Sequence, residues 1–184
     1  RGLPRAHRQV DCSAPTGDDW DDMGLPAARR IAPFVGLALA AGAAASAQDP
    51  IRVRTFDREY VNWNEVRSRA FAFPAASLSV RQVILTIKLE CPAGGCDPWD
   101  RGATIFVKGA DDAGRADTFE IARFITPYGI GCSWTADVTD YRRFLAGSAE
   151  LGFRIETWIG GTKGWLVTID FDFHAGVPDR KVIG

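Results

Sequence analysis

The sequence predicts an all-β fold, an antiparallel jelly roll or β-sandwich of about eight strands with one short helical turn. Beyond Gln48, apolar and polar residues alternate along several segments, and a period of two indicates strands that bury one face. Clusters of glycine, proline and aspartate separate these segments at short intervals, as in sheets whose neighbouring strands are antiparallel. The two patterns together favour two packed β layers over a helical core.

The strands are predicted at 51–56, 70–73, 83–91, 104–108, 119–125, 134–138, 151–156 and 166–174. The alternation is clearest in the segment 83–91, whose apolar face carries Val83, Leu85, Ile87 and Leu89. The segment 166–174 has the same pattern, with Val167, Ile169, Phe171 and Phe173 on one face. A helical turn is predicted at 140–146, with Thr139 or Asp137 as its N-cap and Gly147 just after its end.

The part of the chain that starts at Met23 has the features of a secretory signal peptide. Two arginines, Arg29 and Arg30, precede a short apolar stretch at 34–45, and small residues follow at 45–47. We therefore expect residues 23–47 to be a signal peptide. A buried alanine-rich helix is the alternative for the apolar stretch, which is too short and too rich in glycine and alanine for a membrane span.

These features divide the chain into three parts. Residues 1–22 are interpreted as upstream translation without a structural role, and residues 48–184 as one folded domain, with cleavage near Ala47/Gln48. The expected location is secreted or periplasmic, where disulfides persist. The formal net charge of −1 does not favour binding to nucleic acid or to a membrane surface.

The segment 91–101, CPAGGCDPWDR, carries the most informative residues. Cys91 and Cys96 enclose a loop with two glycines that suit a tight turn. A disulfide across so short a loop removes little entropy from the unfolded chain, so we expect it to fix the shape of the loop. The loop then presents an aromatic residue, an acid and a base in succession: Trp99, Asp100 and Arg101.

A zinc site is the alternative for these cysteines, but it requires a second pair of ligands. The domain offers only Cys132 and His174 for that pair, so no metal site is predicted. Cys132 is then expected to be free, or to pair with a cysteine outside this chain.

The segment 91–107, CPAGGCDPWDRGATIFV, resembles the opening of the active site in the bacterial peptide-N-glycosidase F family. Members of that family are amidases that release N-linked glycans from asparagine. Further similar segments follow in the same order, at 120–128, 137–140, 156–158, 167–173 and 176–179. The resemblance extends from about Ile51 to the end of the chain, and it covers the N-terminal one of the family's two domains.

The resemblance implies a role for each matching residue. Asp100 corresponds to the principal catalytic acid of the family and Glu156 to the second acid. Trp158 corresponds to the aromatic residue that accompanies this second acid, and Trp99 and Arg101 to residues that contact the glycan or orient the acid. No metal and no organic cofactor is implied.

The residues themselves leave simpler alternatives open. Alternation places Arg154, Glu156 and Trp158 on one outer face, where indole can stack on a sugar ring, but Glu156 can also form a salt bridge with Arg154. Asp100 can likewise pair with Arg101 or cap a turn. A further pair of acids, Asp170 and Asp172, is expected to belong to a solvated strand face rather than to a cation or sugar site.

Two functions are therefore expected from the sequence. The first is the N-terminal half of a secreted amidase that hydrolyses the asparagine–N-acetylglucosamine bond, with an N-linked glycan of glycoproteins or glycopeptides as substrate. The C-terminal jelly-roll domain absent from this chain would supply a further essential glutamate, so we expect the isolated chain to be inactive. The second is a non-catalytic carbohydrate-binding jelly roll. In both cases we expect a monomer that binds neither nucleic acid nor membranes.

Overall fold

The computed structural model describes residues 9–12 and 49–178, which belong to one compact unit. Within these ranges the chain forms nine β-strands: β1 (Gln9–Asp11), β2 (Ile51–Val61), β3 (Val66–Ala72), β4 (Val80–Glu90), β5 (Gly102–Ala110), β6 (Ala116–Ile125), β7 (Cys132–Asp137), β8 (Ser148–Ile155) and β9 (Trp165–Ala175). The predicted strands all recur with shifted ends, and β1 is an addition.

The strands form two antiparallel sheets, which confirms the predicted fold class. One sheet has the order β1-β7-β4-β9-β2 and the other has the order β3-β8-β5-β6. Without β1 this is the strand order of a jelly roll, in which the chain crosses from one sheet to the other as it proceeds from β2 to β9.

The core lies between the sheets and consists of the alternating apolar residues of the inner strands. In β4 and β9 the side chains of Leu85, Ile87, Ile169 and Phe171 are almost completely buried, and Leu85 is paired with Phe171 in the ladder. Burial of each such side chain contributes about 1.5–3 kcal/mol. Because these residues must face the core, the residues that alternate with them along each strand face outward.

The helical turn is shorter than the predicted 140–146 and begins earlier. It is a single 3-10 turn at Thr139–Tyr141, and Oδ1 of Asp137 accepts a hydrogen bond from the backbone N–H of Thr139 at 2.9 Å. Gly147 has φ = 62°, as expected for a glycine that ends a turn in the left-handed region.

Cys132 departs from expectation because it has a partner within the chain. It forms a disulfide with Cys12, and the adjacent strand β1 pairs with β7 from Asp11–Ser133 to Gln9–Thr135. Residues 9–11 thus belong to the sheet and Cys12 is bonded to it, whereas residues 1–22 were expected to have no structural role. Pairing of this kind satisfies the backbone groups along an otherwise open edge of β7. The predicted signal peptide lies outside the described residues.

Four connections meet at one end of the sandwich because consecutive strands alternate in direction. They follow β2, β4, β6 and β8 and comprise residues 62–65, 91–101, 126–131 and 156–164. All the residues that the sequence singled out for function lie in these connections. No helix in residues 9–12 and 49–178 is long and apolar enough to cross a membrane.

Candidate active site

The predicted disulfide Cys91–Cys96 is present and anchors the connection between β4 and β5. The loop lies against the connection between β8 and β9, where the N–H of Gly164 donates to the carbonyl of Gly95 at 3.2 Å. Gly94 permits this close approach, because a Cβ there would overlap the backbone carbonyl oxygen of Thr162. The disulfide therefore holds a loop whose shape is also set by its contact with a neighbouring loop.

Asp97 follows this disulfide and is completely buried. Its carboxylate oxygen Oδ2 accepts hydrogen bonds from Nε of Arg101 at 2.7 Å and from Oγ1 of Thr157 at 2.6 Å. Its Oδ1 accepts from the backbone N–H of Trp99 at 3.0 Å. The backbone carbonyl of Asp97 accepts from the N–H of Gly129 at 3.1 Å. One residue thus connects three of the four loops at this end.

The environment of Asp97 keeps its carboxyl group ionised. Burial opposes ionisation and by itself would raise the pKa, but the hydrogen bonds from Arg101, Thr157 and Trp99 outweigh it and lower the pKa below its usual value. A buried carboxylate is tolerated when a charged partner and further donors compensate for lost hydration, as they do here.

Arg101 pairs with this buried carboxylate, which replaces the alternative in which Asp100 pairs with Arg101. The guanidinium carbon of Arg101 lies 5.8 Å from the ring centroid of Trp158, within the range of a cation–π contact. The backbone N–H of Arg101 donates to Oγ1 of Thr126 at 2.9 Å. Arg101 is therefore fixed from two sides and supports the indole of Trp158.

Asp100 remains exposed beside two aromatic side chains. Trp99 is 58% exposed and Tyr128 is 65% exposed. A hydrogen bond to the Asp100 carboxylate, together with its negative charge, raises the pKa of the Tyr128 hydroxyl. This acid is thus accessible to a substrate, and a phenol from the connection after β6 contacts it.

Glu156 lies directly across from Gly102 at the end of the sheet. Its backbone N–H donates to the carbonyl of Gly102 at 2.9 Å, and a Cβ built on Gly102 would lie 3.2 Å from Oε2 of Glu156. The expected alternative partner, Arg154, donates instead from Nε to Oδ1 of Asn64 at 2.6 Å. The Glu156 carboxylate is exposed and lies over a strand position without a side chain.

The structure thus brings together Trp99, Asp100, Arg101, Glu156 and Trp158 at one end of the sandwich. Gly102 links the two acids, because it lies two residues after Asp100 and beside Glu156. Two exposed carboxylates beside exposed indoles can accept hydrogen bonds from sugar hydroxyls, orient water and stack on a pyranose ring.

Three contributors were missed by reasoning from the sequence: Asp97, Thr157 and Tyr128. Asp97 and Arg101 are four residues apart, and this spacing in a loop closed by a disulfide was the available signal. No spacing in the sequence indicated the roles of Thr157 and Tyr128, because these roles depend on contacts between loops that are distant in the sequence.

The two remaining acids that the sequence raised do not belong to this site. Nε of Arg54 lies 2.9 Å from Oδ1 of Asp170, and Nε of Arg52 lies 2.8 Å from Oδ1 of Asp172. A solvated strand face was predicted for these acids. They do form ion pairs with arginines of the neighbouring strand, but Asp170 is buried beneath its partner and is only 8% exposed. Across residues 9–12 and 49–178, no cluster of three or more histidine, cysteine, aspartate or glutamate side chains is arranged to hold a metal ion.

Comparison with known proteins shows that this chain is similar to an asparagine amidase. A curated protein of Elizabethkingia miricola, peptide-N(4)-(N-acetyl-beta-D-glucosaminyl)asparagine amidase F, is 36% identical over 146 residues. The match covers 74% of this chain but only 40% of that protein. A scan of protein-family models found no match.

Solved structures give the same result. The structure of PNGase F, a glycosylasparaginase from Flavobacterium meningosepticum, superposes with a TM-score of 0.62 and is 35% identical. The superposition covers 73% of this chain and 44% of that one. A second structure, PNGF-II, has a TM-score of 0.59 at 14% identity over 73% of this chain and 36% of its own, and it supports the fold alone. The sequence identity and the shared jelly-roll architecture together make this chain a peptide-N-glycosidase F-like domain.

Proposed function

We propose that the protein containing this chain hydrolyses the amide bond between asparagine and the innermost N-acetylglucosamine of N-linked glycoproteins. The observation that carries this proposal is that two exposed acids meet at Gly102: Asp100 precedes Gly102 by two residues, and Oε2 of Glu156 would lie 3.2 Å from a Cβ built on Gly102. The names of the relatives describe the same reaction. Because this chain covers 40% of the curated relative, the activity is proposed for the whole protein.

Each group has a role in the proposed reaction. Asp100 orients and activates a water molecule, whose oxygen attacks the carbonyl carbon of the asparagine side chain. The C–N bond breaks, the nitrogen leaves with the sugar as a glycosylamine, and an aspartate side chain remains. Glu156 positions the water and the sugar, while Trp99, Trp158 and Arg101 bind the glycan. No metal and no organic cofactor takes part in this proposal.

The remaining expectations from the sequence complete the proposal. A second domain of the same protein supplies further catalytic and binding groups, so the isolated chain is inactive. The protein is exported to the cell exterior or the periplasm, with residues 23–47 as its signal peptide, and it acts as a monomer.

The test uses the polypeptide encoded by the complete reading frame and a glycopeptide with one asparagine-linked glycan. In water labelled with oxygen-18, mass spectrometry should show the loss of the glycan and an aspartate that contains one heavy oxygen. Asp100→Asn should reduce the rate by about 100-fold or more, since it removes the group that activates water. Glycan release that leaves an aspartate without heavy oxygen, or an asparagine that is not hydrolysed, would overturn the proposal.

A non-catalytic carbohydrate-binding module is the second candidate, and the half-exposed indole of Trp158 favours it. Calorimetric titration of this chain with a free oligosaccharide distinguishes the binding module from the amidase. A binding module retains affinity after Asp100→Asn and loses it after Trp158→Ala. Failure to bind at millimolar oligosaccharide would exclude this second function.

A further inference from the structure

Trp63 is a second half-exposed tryptophan at the same end of the sandwich. It lies in the connection between β2 and β3 and is 49% exposed, close to the 50% of Trp158. Its ring lies 3.9 Å from the position that a Cβ would occupy on Gly160, two residues after Trp158. Trp63 therefore lies against the connection that carries Trp158. Because β8 lies between β3 and β5 in the sheet, the connection that leads into β3 and carries Trp63 is on the other side of β8 from the connection that leads into β5 and carries Asp100.

Hydrogen bonds hold the two connections rigidly together. The hydroxyl of Tyr60 lies 2.9 Å from the carbonyl oxygens of both Gly161 and Lys163, and its one hydrogen is shared between these two acceptors. The amide Nδ2 of Asn62 also donates to Gly161 at 2.9 Å, and the N–H of Gly160 donates to the carbonyl of Asn62 at 2.9 Å. Trp63 thus projects from a braced turn, and a ligand that stacks on it need not order a flexible loop.

The surroundings of Trp63 suit a sugar better than a protein partner. It is flanked in sequence by Asn62 and Asn64, and Glu65 follows in the same turn. An exposed indole face bordered by amides and charges matches a pyranose, which has an apolar ring face and a rim of hydroxyls.

We propose that Trp63 is an outer carbohydrate-binding residue, which stacks on a sugar of the oligosaccharide beyond those bound at Trp158. This inference rests on the proposed amidase function, because the position of the reducing end is set by Asp100 and Glu156. It assigns Trp63 to the recognition of long glycans and not to the chemical step.

The experiment compares two glycopeptides with the complete polypeptide, one with a full-length oligosaccharide and one with only the two innermost N-acetylglucosamine residues. Trp63→Ala should raise KM for the long glycan by about tenfold and leave kcat unchanged, since the contact is made before and during the reaction. For the short glycan the change in KM should be less than about twofold. Trp158→Ala should impair both substrates.

The matched control is Val66→Ala, which truncates a side chain of similar exposure (56%) three residues further along the chain, at the start of β3. It should leave both KM values unchanged, and thermal melting should show that each variant is folded. If Trp63→Ala behaves like the wild type on the long glycan, or impairs both glycans equally, the inference is overturned.

Failure of the proposed function gives a different result, because the wild type would then cleave neither glycopeptide. Titration of this chain with the free long oligosaccharide then decides the role of Trp63. Binding that is lost in Trp63→Ala and kept in Val66→Ala supports the inference. Equal binding by the two variants, or no binding by the wild type, overturns it.

Discussion

The buried carboxylate of Asp97 lies 2.7 Å from Nε of Arg101 and 2.6 Å from Oγ1 of Thr157. Arg101 directly follows Asp100, and Thr157 directly follows Glu156. A single side chain therefore holds the neighbours of both exposed acids, although it has no solvent exposure of its own. Asp97 acts as a positioning residue that sets the spacing between two separate loops.

Removal of this carboxylate should destabilise the domain strongly. Asp97→Ala leaves Arg101 and Thr157 without their acceptor, and we expect the free energy of unfolding to fall by about 3 kcal/mol. Urea denaturation monitored by tryptophan fluorescence measures this change. Asp112→Ala is the control, because it removes an exposed ion pair with Arg143 and should cost less than about 1 kcal/mol. Similar losses in both variants would contradict the assigned role.

The pH dependence of the free energy of unfolding should reflect the ionisation of the Asp97 carboxyl group. Since the pKa of Asp97 is lowered in the folded state, its contribution is fully present above the ordinary pKa of an aspartate, about 4, and is lost as the pH falls through the folded-state pKa. The stability difference between the wild type and Asp97→Asn should therefore be large at neutral pH and shrink in acid. A difference that stays constant between pH 7 and pH 2 would contradict this expectation.

A side chain at Gly102 should impair the site without unfolding the sheet. In Gly102→Val the new side chain would displace the Glu156 carboxylate, because even a Cβ lies 3.2 Å from its Oε2. We expect glycan release by the complete polypeptide to fall by about tenfold or more, with little change in melting temperature, since valine favours strands. Thr104→Val, at the next outward position of β5, is the control and should retain activity. Full activity of Gly102→Val would show that Glu156 need not occupy this position.

Peptide mapping of the unreduced protein after folding in an oxidising compartment should show a linked peptide for Cys91–Cys96. Cleavage at the proposed site near Gln48 removes Cys12, so a peptide that links Cys12 to Cys132 is expected only from polypeptide that has not been cleaved. Substitution of both Cys91 and Cys96 by serine should affect activity more than stability, because the closed loop is short. A free thiol at Cys132 in a chain that retains Cys12 would contradict the second pairing.

The sequence allowed prediction of the fold because β4 and β9 alternate without interruption. It underestimated β2, predicted at 51–56, since the strand continues to Val61 past an irregular register and a left-handed residue, Arg58, with φ = 51°. It also underestimated β3, an edge strand whose residues are mostly exposed and therefore carry no apolar alternation.

The site was predictable where a motif marks it and not where contacts between loops create it. Asp100 and Glu156 stand in recognisable segments, and antiparallel pairing of β5 with β8 brings them to the same end. Asp97, Tyr128 and Trp63 acquire their roles only through partners on other connections. Only Asp97 had a sequence signal, its spacing of four residues from Arg101 in a loop closed by a disulfide.

The gathering of these connections at one end also has a consequence for the opposite end of the sandwich. The turn between β5 and β6 lies there, closed by a hydrogen bond from the N–H of Gly114 to the carbonyl of Asp111 at 2.9 Å, and residues 112–115 are exposed. An affinity tag or a linker to a solid support inserted at this turn would direct the tryptophans and both acids toward the solution. The chain could then be immobilised in one orientation, with the end that carries Asp100 and Glu156 facing the solution.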